Sequence, residues 1–225
     1  MLPCVSVENM RLSDTYTIDN FCPSLVLMHR AAMGVFKAVQ WFGRTAIVVG
    51  SGNNGGDGFA LASILHEHGF SCTVFTLSQK LSPDSSYYAD QCKRIGVSIC
   101  TFSAGCLDAY DIVVDCLLGT GFSRPVRDNY REAIKAINAS SAYVVSVDIN
   151  SGMNGDTGEA ELAVYSDLTV TIGYIKTGLV TENAGNYIKR LVCADIGIIL
   201  LREEGFISEE NLPSWLDPKV LNAVE

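Results

Sequence analysis

Short apolar runs alternate with helical patterns along most of this chain. Residues 45–49, 71–77, 97–102, 111–114, 143–147, 168–172 and 190–195 are rich in Val, Ile, Thr and aromatic residues and read as buried strands. Residues 6–19 predict a first helix, with Met10, Leu12, Tyr16 and Ile18 as its apolar positions and Thr15, Thr17 and Asp19 turned outward. After Phe21-Cys22-Pro23, residues 24–42 predict a longer helix that opens on Ser24 as N-cap and sets Leu25, Met28, Ala32, Val35, Phe36 and Val39 against a sheet. Three more helices are predicted over 59–68, ended by Gly69, over 82–94, opened by Ser82-Pro83-Asp84, and over 128–137. Such alternation implies an α/β three-layer sandwich, a Rossmann-like, mostly parallel sheet with helices on both faces. A chain of 225 residues fits one domain, with its core over about 6–200 and residues 201–225 as a C-terminal extension.

The first strand runs into Gly50-Ser51-Gly52-Asn53-Asn54-Gly55-Gly56-Asp57-Gly58, a strand-to-helix turn of the kind that binds ligands in α/β sheets. Its glycines permit positive φ and close backbone approach, and the helix N-terminus that follows suits an anion or a polar nucleotide edge. The oxygens of Asn53, Asn54 and Asp57 suit a hard cation or a sugar hydroxyl. The spacing departs from the dinucleotide fingerprint by continuing into Gly56-Asp57-Gly58, and no Lys-Ser or Lys-Thr follows to make a Walker loop.

Two later strands also end in an acid and a polar loop. Asp115 leads into Gly119-Thr120-Gly121-Phe122-Ser123-Arg124-Pro125, and Asp148 into Asn150-Ser151-Gly152. A carboxylate at the end of a buried strand needs a partner, for which a cation or a ligand hydroxyl is suited, although Gly-Thr-Gly also occurs as a plain turn. Three such loops on neighbouring strands imply one pocket at a topological switch point.

Composition narrows the function. A net charge of −9 without any basic cluster argues against a nucleic-acid partner. The eight cysteines are scattered without C-x-x-C spacing and read as reduced core thiols. No run approaches the roughly 20 apolar residues of a membrane span, and residues 1–20 fit neither a signal nor a transit peptide, so a soluble, cytoplasmic protein is expected. His29 and Lys80 read as surface residues, and His66 and His68, two apart on one helix, cannot share a metal.

The run G-S-G-N-N-G-G-D-G resembles the signature of the YjeF N-terminal domain family, whose enzymatic members are NAD(P)H-hydrate epimerases. Likeness continues through Asp115-Cys116-Leu117-Leu118-Gly119-Thr120-Gly121, through Val147-Asp148-Ile149-Asn150-Ser151-Gly152, where Asn150 replaces a usual proline, and through Gly173-Tyr174-Ile175-Lys176-Thr177-Gly178-Leu179. It implies interconversion of the R and S epimers of NADHX and NADPHX, reduced nicotinamide nucleotides hydrated at C6, with no redox cofactor. It further implies substrate contacts from Asn53, Asn54, Gly55, Gly56, Asp57, the loop Gly119, Thr120, Gly121, Phe122, Ser123, Arg124 and Pro125, and Asp148. Asp148 is the expected acid/base, and Asn54, Asp115 and Ser151 are the expected ligands of a potassium ion. A homodimer is expected, working alongside a separate NAD(P)HX dehydratase. The alternative is an inactive scaffold or a nucleotide- or RNA-binding module, since some relatives have lost the enzymatic loops. An ordinary NAD(P)-dependent oxidoreductase is disfavoured by the missing ribose-binding acid after the next strand.

Overall fold

The computed structural model describes residues 1–103, 105–121, 125–126 and 128–224. Its main sheet contains β2 (Arg44–Val49), β3 (Ser71–Thr76), β4 (Ser98–Thr101), β5 (Ile112–Cys116), β6 (Tyr143–Val147), β7 (Leu168–Ile172), β9 (Leu191–Asp195) and β11 (Leu216–Asn222), in the order β11-β9-β7-β6-β5-β2-β3-β4. All neighbouring pairs are parallel. Parallel strands need long crossovers, and the helices that make them cover both faces of the sheet.

Alternate residues of each central strand feed two cores. Ile47, Val49, Val114 and Val145 meet α2 (Ser24–Ala38), α3 (Asn53–Glu67) and α4 (Pro83–Ile95) on one face. Ala46, Val48, Val113 and Val144 meet Ala133, Ile134 and Ile137 of α5 (Asp128–Ala139) on the other. A sheet buried on both faces explains why its strands read as continuous apolar runs.

A second, three-stranded sheet was not legible beforehand. It joins β1 (Leu2–Val5), β8 (Ile175–Lys176) and β10 (Gly205–Ile207) in the order β10-β1-β8. β10 and β11 both lie in the segment expected to extend beyond the core, so the tail contributes an edge strand to each sheet. All eight cysteines are free.

Two helices differ from expectation. In α1 (Val7–Asn20), Thr17 faces inward rather than outward, buried together with Asn9 and Ser13, while Leu12 and Tyr16 are exposed. The reason is the extended chain after β9, whose backbone groups need partners. The Ile199 N–H donates to Thr17 Oγ1 at 2.9 Å, the Leu201 N–H donates to Ser13 Oγ at 3.0 Å, and Asn9 Nδ2 donates to the Arg202 carbonyl at 2.8 Å. Helix α2 is capped by Pro23 rather than Ser24 and stops at Ala38, because Val39 is already extended. The Trp41 indole N–H then turns back to donate to the Phe36 carbonyl at 2.9 Å.

Candidate active site at the carboxyl edge of the sheet

From β2 the chain moves outward through β3 and β4 on one side, whereas from β5 it moves through β6 and β7 on the other. The order therefore reverses between β2 and β5, and the segments leaving β2, β5 and β6 emerge side by side at the same edge. That edge is the switch point where α/β sheets bind ligands.

The glycine run does something other than the turn expected of it. Helix α3 begins at Asn53, so Gly55, Gly56 and Gly58 are helical, and none of the five glycines from Gly50 to Gly58 has positive φ. Each glycine in a helix is unfavourable by about 1 kcal/mol relative to alanine, so packing must require them. A Cβ on Gly55 would lie 2.3 Å from the Gly50 carbonyl oxygen, and one on Gly58 would lie 2.7 Å from Val49 Cγ1. A Cβ on Gly50 would stand 2.0 Å from the Leu117 carbonyl oxygen. Missing side chains thus bring the start of α3 down onto β2 and the loop after β5.

This closeness places Asn54 against the β5 loop, where its Nδ2 donates to the Leu118 carbonyl at 2.9 Å. Asn54 Oδ1 is buried and has no hydrogen-bond partner. An orphaned buried acceptor is uncommon and costly, which marks a place for a donor or a cation. Beside it, Ser151 Oγ accepts from the Leu118 N–H at 2.9 Å and donates to Asp115 Oδ1 at 2.5 Å. Asp115, wholly buried, also accepts from Ser146 Oγ, the Ser151 N–H and the Leu117 N–H. Burial pushes its carboxyl up, against the pull of these hydrogen bonds. The donor set is all oxygen, and among the described residues no group of three His, Cys, Asp or Glu is placed to hold a metal. Such a set suits a hard cation rather than zinc.

Asp148 follows β6 in the left-handed region at φ 70°, one of two described non-glycine residues with positive φ. Its Oδ1 accepts from the Ile172 N–H and pairs with the Lys176 ammonium. Its Oδ2 points toward Gly119, where a Cβ would lie 3.6 Å away. Lys176 is 1% exposed and donates as well to the Ile172 carbonyl at 2.6 Å and Thr171 Oγ1 at 3.2 Å, so all three ammonium protons are engaged. The small sheet sets this lysine in place, since Val5 of β1 pairs in register with Lys176 of β8. Lys176 was not among the expected site residues. The available signal was the run Gly173-Tyr174-Ile175-Lys176-Thr177-Gly178-Leu179, which carries it and is part of the family likeness.

Asn150, which stands where the family usually has proline, is held by buried hydrogen bonds. Its Nδ2 donates to the Val164 carbonyl and Ser166 Oγ, and its Oδ1 accepts from Thr169 Oγ1 at 2.6 Å. The strap carrying Asp148 and Ser151 is thereby fixed to β7.

These elements enclose a cavity of about 520 Å³. Asn53, Asn54, Asp57, Gly119, Thr120, Gly121, Asp148 and Lys176 line it, with Met10, Leu27 and Met28 forming an apolar wall. Asp14 of α1 and Asp84 of α4 also face it. Burial pushes the Asp57 carboxyl well above its usual range, reinforced by the charges of Asp148 and Asp14. Asp14 is raised for the same first reason and by Asp148. Of the other expected residues, Gly55 and Gly56 pack beneath the cavity, with Gly56 against Met28, and Asp115 and Ser151 lie behind its wall. Pro125 borders a separate hollow with Arg131 and Glu161. Phe122, Ser123 and Arg124 lie outside the described residues.

A doubly wound α/β domain with an oxygen-rich cavity at its switch point belongs to the class of small-molecule sites built on strand ends. Residues 24–178 match the family model described as YjeF-related protein N-terminus, and the chain belongs to that family. It is 39% identical over 199 residues to the NAD(P)H-hydrate epimerase of Limosilactobacillus fermentum, covering 85% of this chain and 95% of that one. Against the NAD(P)H-hydrate epimerase of Rhodopirellula baltica it is 35% identical over 210 residues, covering 88% and 86%. It matches the bifunctional NAD(P)H-hydrate repair enzyme Nnr of Coxiella burnetii at 37% identity, covering 92% of this chain and 44% of that one. The crystal structure of yeast ynu0 shares the fold, with a TM-score of 0.69 at 21% identity over 94% of this chain and 99% of that one.

Proposed function

We propose that this protein is an NAD(P)H-hydrate epimerase, an isomerase that interconverts the R and S epimers of NADHX and NADPHX. The observation that carries the reading is Asp148, with one oxygen anchored by Lys176 and the Ile172 N–H and the other turned into the cavity, in a chain akin to epimerases over most of its length. The two epimers differ only at C6, a carbon that bears a hydroxyl beside the ring nitrogen. Inverting it requires proton exchange at that hydroxyl and no net oxidation, and a fixed carboxylate within reach can do this. Asp148 Oδ2 is the group assigned to take and return that proton. The apolar wall of Met10, Leu27 and Met28 suits the ring, and the start of α3 offers N–H groups to the phosphates.

A potassium ion fits beside this machinery, held by Asn54, Asp115 and Ser151 with the Leu118 carbonyl. When bound, it would neutralise the buried Asp115 carboxylate and tie the loops after β5 and β6 to α3. The relatives named bifunctional extend well beyond the part that this chain matches, which supports a dehydratase acting in the same repair sequence. Exposed Leu12, Tyr16, Phe21 and Val26 on and after α1 offer an apolar surface for a homodimer. No helix among the described residues is long and apolar enough to cross a membrane.

The test is direct. Purified protein given R-NADHX should bring it to the equilibrium epimer mixture far faster than buffer alone, followed by chromatographic separation of the epimers. Asp148→Asn should abolish the acceleration. A wild-type protein no faster than buffer, or an Asp148→Asn protein as fast as wild type, refutes the assignment.

A further inference from the structure

We propose that Asp57 is a second catalytic residue, carrying the proton that Asp148 does not, and that Asp14 is a positioning residue which keeps that proton in place. The inference rests on the epimerase reading and adds to it a division of labour between two walls of the cavity. On one wall, Asp148 has a single free oxygen, and the three protons of Lys176 are committed to Asp148, Thr171 and Ile172. Asp148 enters the reaction as the acceptor of the hydroxyl proton and Lys176 has no proton to spare, so the proton for N1 must come from another group. On the other wall stand Asp57, in the second turn of α3, and Asp14, on the cavity face of α1.

The groups facing Asp57 are mostly acidic. They are Asp14 from α1; Asp84 and Tyr88 from α4; Cys116 from β5; Asp148 after β6; and Lys176 on β8, with Arg11 of α1 also lining the cavity. Among the described residues Lys176 is the sole cation that acts directly on Asp57, and it is already engaged by Asp148. Four carboxylates in one cavity that must also admit a diphosphate cannot all be charged without large mutual repulsion. Enclosure and neighbouring charge act together on both Asp14 and Asp57, and more strongly on Asp57, which is therefore the group assigned the proton.

The reaction then balances. Asp148 removes the proton of the C6 hydroxyl, the C6–N1 pair passes to N1 as C6 becomes an aldehyde carbon, and Asp57 protonates N1. Rotation about C5–C6 presents the other carbonyl face. N1 attacks it and returns its proton to Asp57, and the alkoxide recovers its proton from Asp148. No electrons are exchanged with any outside group.

Two measurements test this. In the ligand-free protein labelled with carboxyl-13C aspartate, the resonance missing from Asp57→Asn should titrate above the ordinary carboxylate range, and should move to lower pH in Asp14→Asn. In turnover, Asp57→Asn should lower kcat on the order of 100-fold or more while KM changes little, because the amide keeps the shape but has no acidic proton. Asp14→Asn should stay active at low pH but have the basic limb of its kcat profile displaced to lower pH, since loss of a neighbouring negative charge weakens the hold of Asp57 on its proton. Asp57→Asn with wild-type kcat, Asp57 titrating in the ordinary range, or an unmoved basic limb in Asp14→Asn would each overturn the proposal. The resonance titration uses no substrate, so a protein inactive on NADHX would sink the epimerase reading while this arm still decides where the proton sits.

Discussion

Replacing Lys176 with methionine probes the contact on which the site depends. The side chain is 1% exposed and satisfies three acceptors, while its partner Asp148 retains 13% exposure at the cavity. Removing one member of a buried ion pair costs about 3–5 kcal/mol, because the remaining charge is left without compensation. Cavity water can reach Asp148, which puts the expected loss at the lower end, about 3 kcal/mol. In a domain of this size each kcal/mol lowers Tm by about 2–4 °C, so Lys176→Met should melt about 6–12 °C below wild type by circular dichroism. The stranded charge can then be removed. Adding Asp148→Asn should restore a substantial part of the loss, a coupling of about 1–3 kcal/mol in a double-mutant cycle. A single mutant within about 1 kcal/mol of wild type, or additive effects of the two substitutions, would mean that Asp148 does not depend on Lys176.

Three further outcomes are expected. Potassium should raise Tm more than lithium does in wild-type protein, and Asn54→Ala should erase that difference; equal shifts with both cations would remove the case for an ion at Asn54. Gly58→Ala gains helix propensity of about 1 kcal/mol but forces a methyl to within 2.7 Å of Val49 and 3.0 Å of Cys116, so a net loss of about 1–2 kcal/mol should appear in urea unfolding. The Asp57 carboxyl, raised from 3.8, binds its proton more tightly in the folded chain than in the unfolded one. Its contribution to stability is therefore full below that value and lost as pH rises through the folded value, and Asp57→Asn should flatten this part of the stability–pH curve.

Seven of the eight strands of the main sheet were legible because a sheet covered on both faces writes itself as uninterrupted apolar runs, and those seven fall within a residue or two of the runs, whereas the edge strand β11 matched none. Their order was not legible, since pairing is decided by crossovers that no local pattern records. The start of α3 was misplaced for a physical reason: glycines argue against a helix by propensity, and only the nearness of Gly50 and Val49 explains why the helix carries them. Thr17 was turned the wrong way because its partner, the Ile199 N–H, comes from 182 residues further along. Lys176 escaped for a similar reason, since a charged residue on a strand of two residues gives no periodicity to read.

Several of the local rules that fail in this chain fail around one hollow. Helix α3 spends its first turns on glycine, Asp148 adopts a conformation unfavourable for a side chain, Asn54 leaves a buried oxygen without a donor, and Asp14 and Asp57 sit where burial penalises their charge. The glycines are what lets α3 pack onto β2, but the strained Asp148 backbone, the unpartnered Asn54 oxygen and the penalised carboxyls lower stability without being needed to close the sheet. A fold under selection for stability alone would have placed an apolar residue at Asp57. The convergence of these departures at the switch point is a physical reason, separate from kinship, for locating the chemistry there. It also predicts the direction of engineering: Asp57→Asn should raise Tm at neutral pH while lowering turnover, whereas breaking the exposed Arg131–Glu161 pair should leave turnover unaltered.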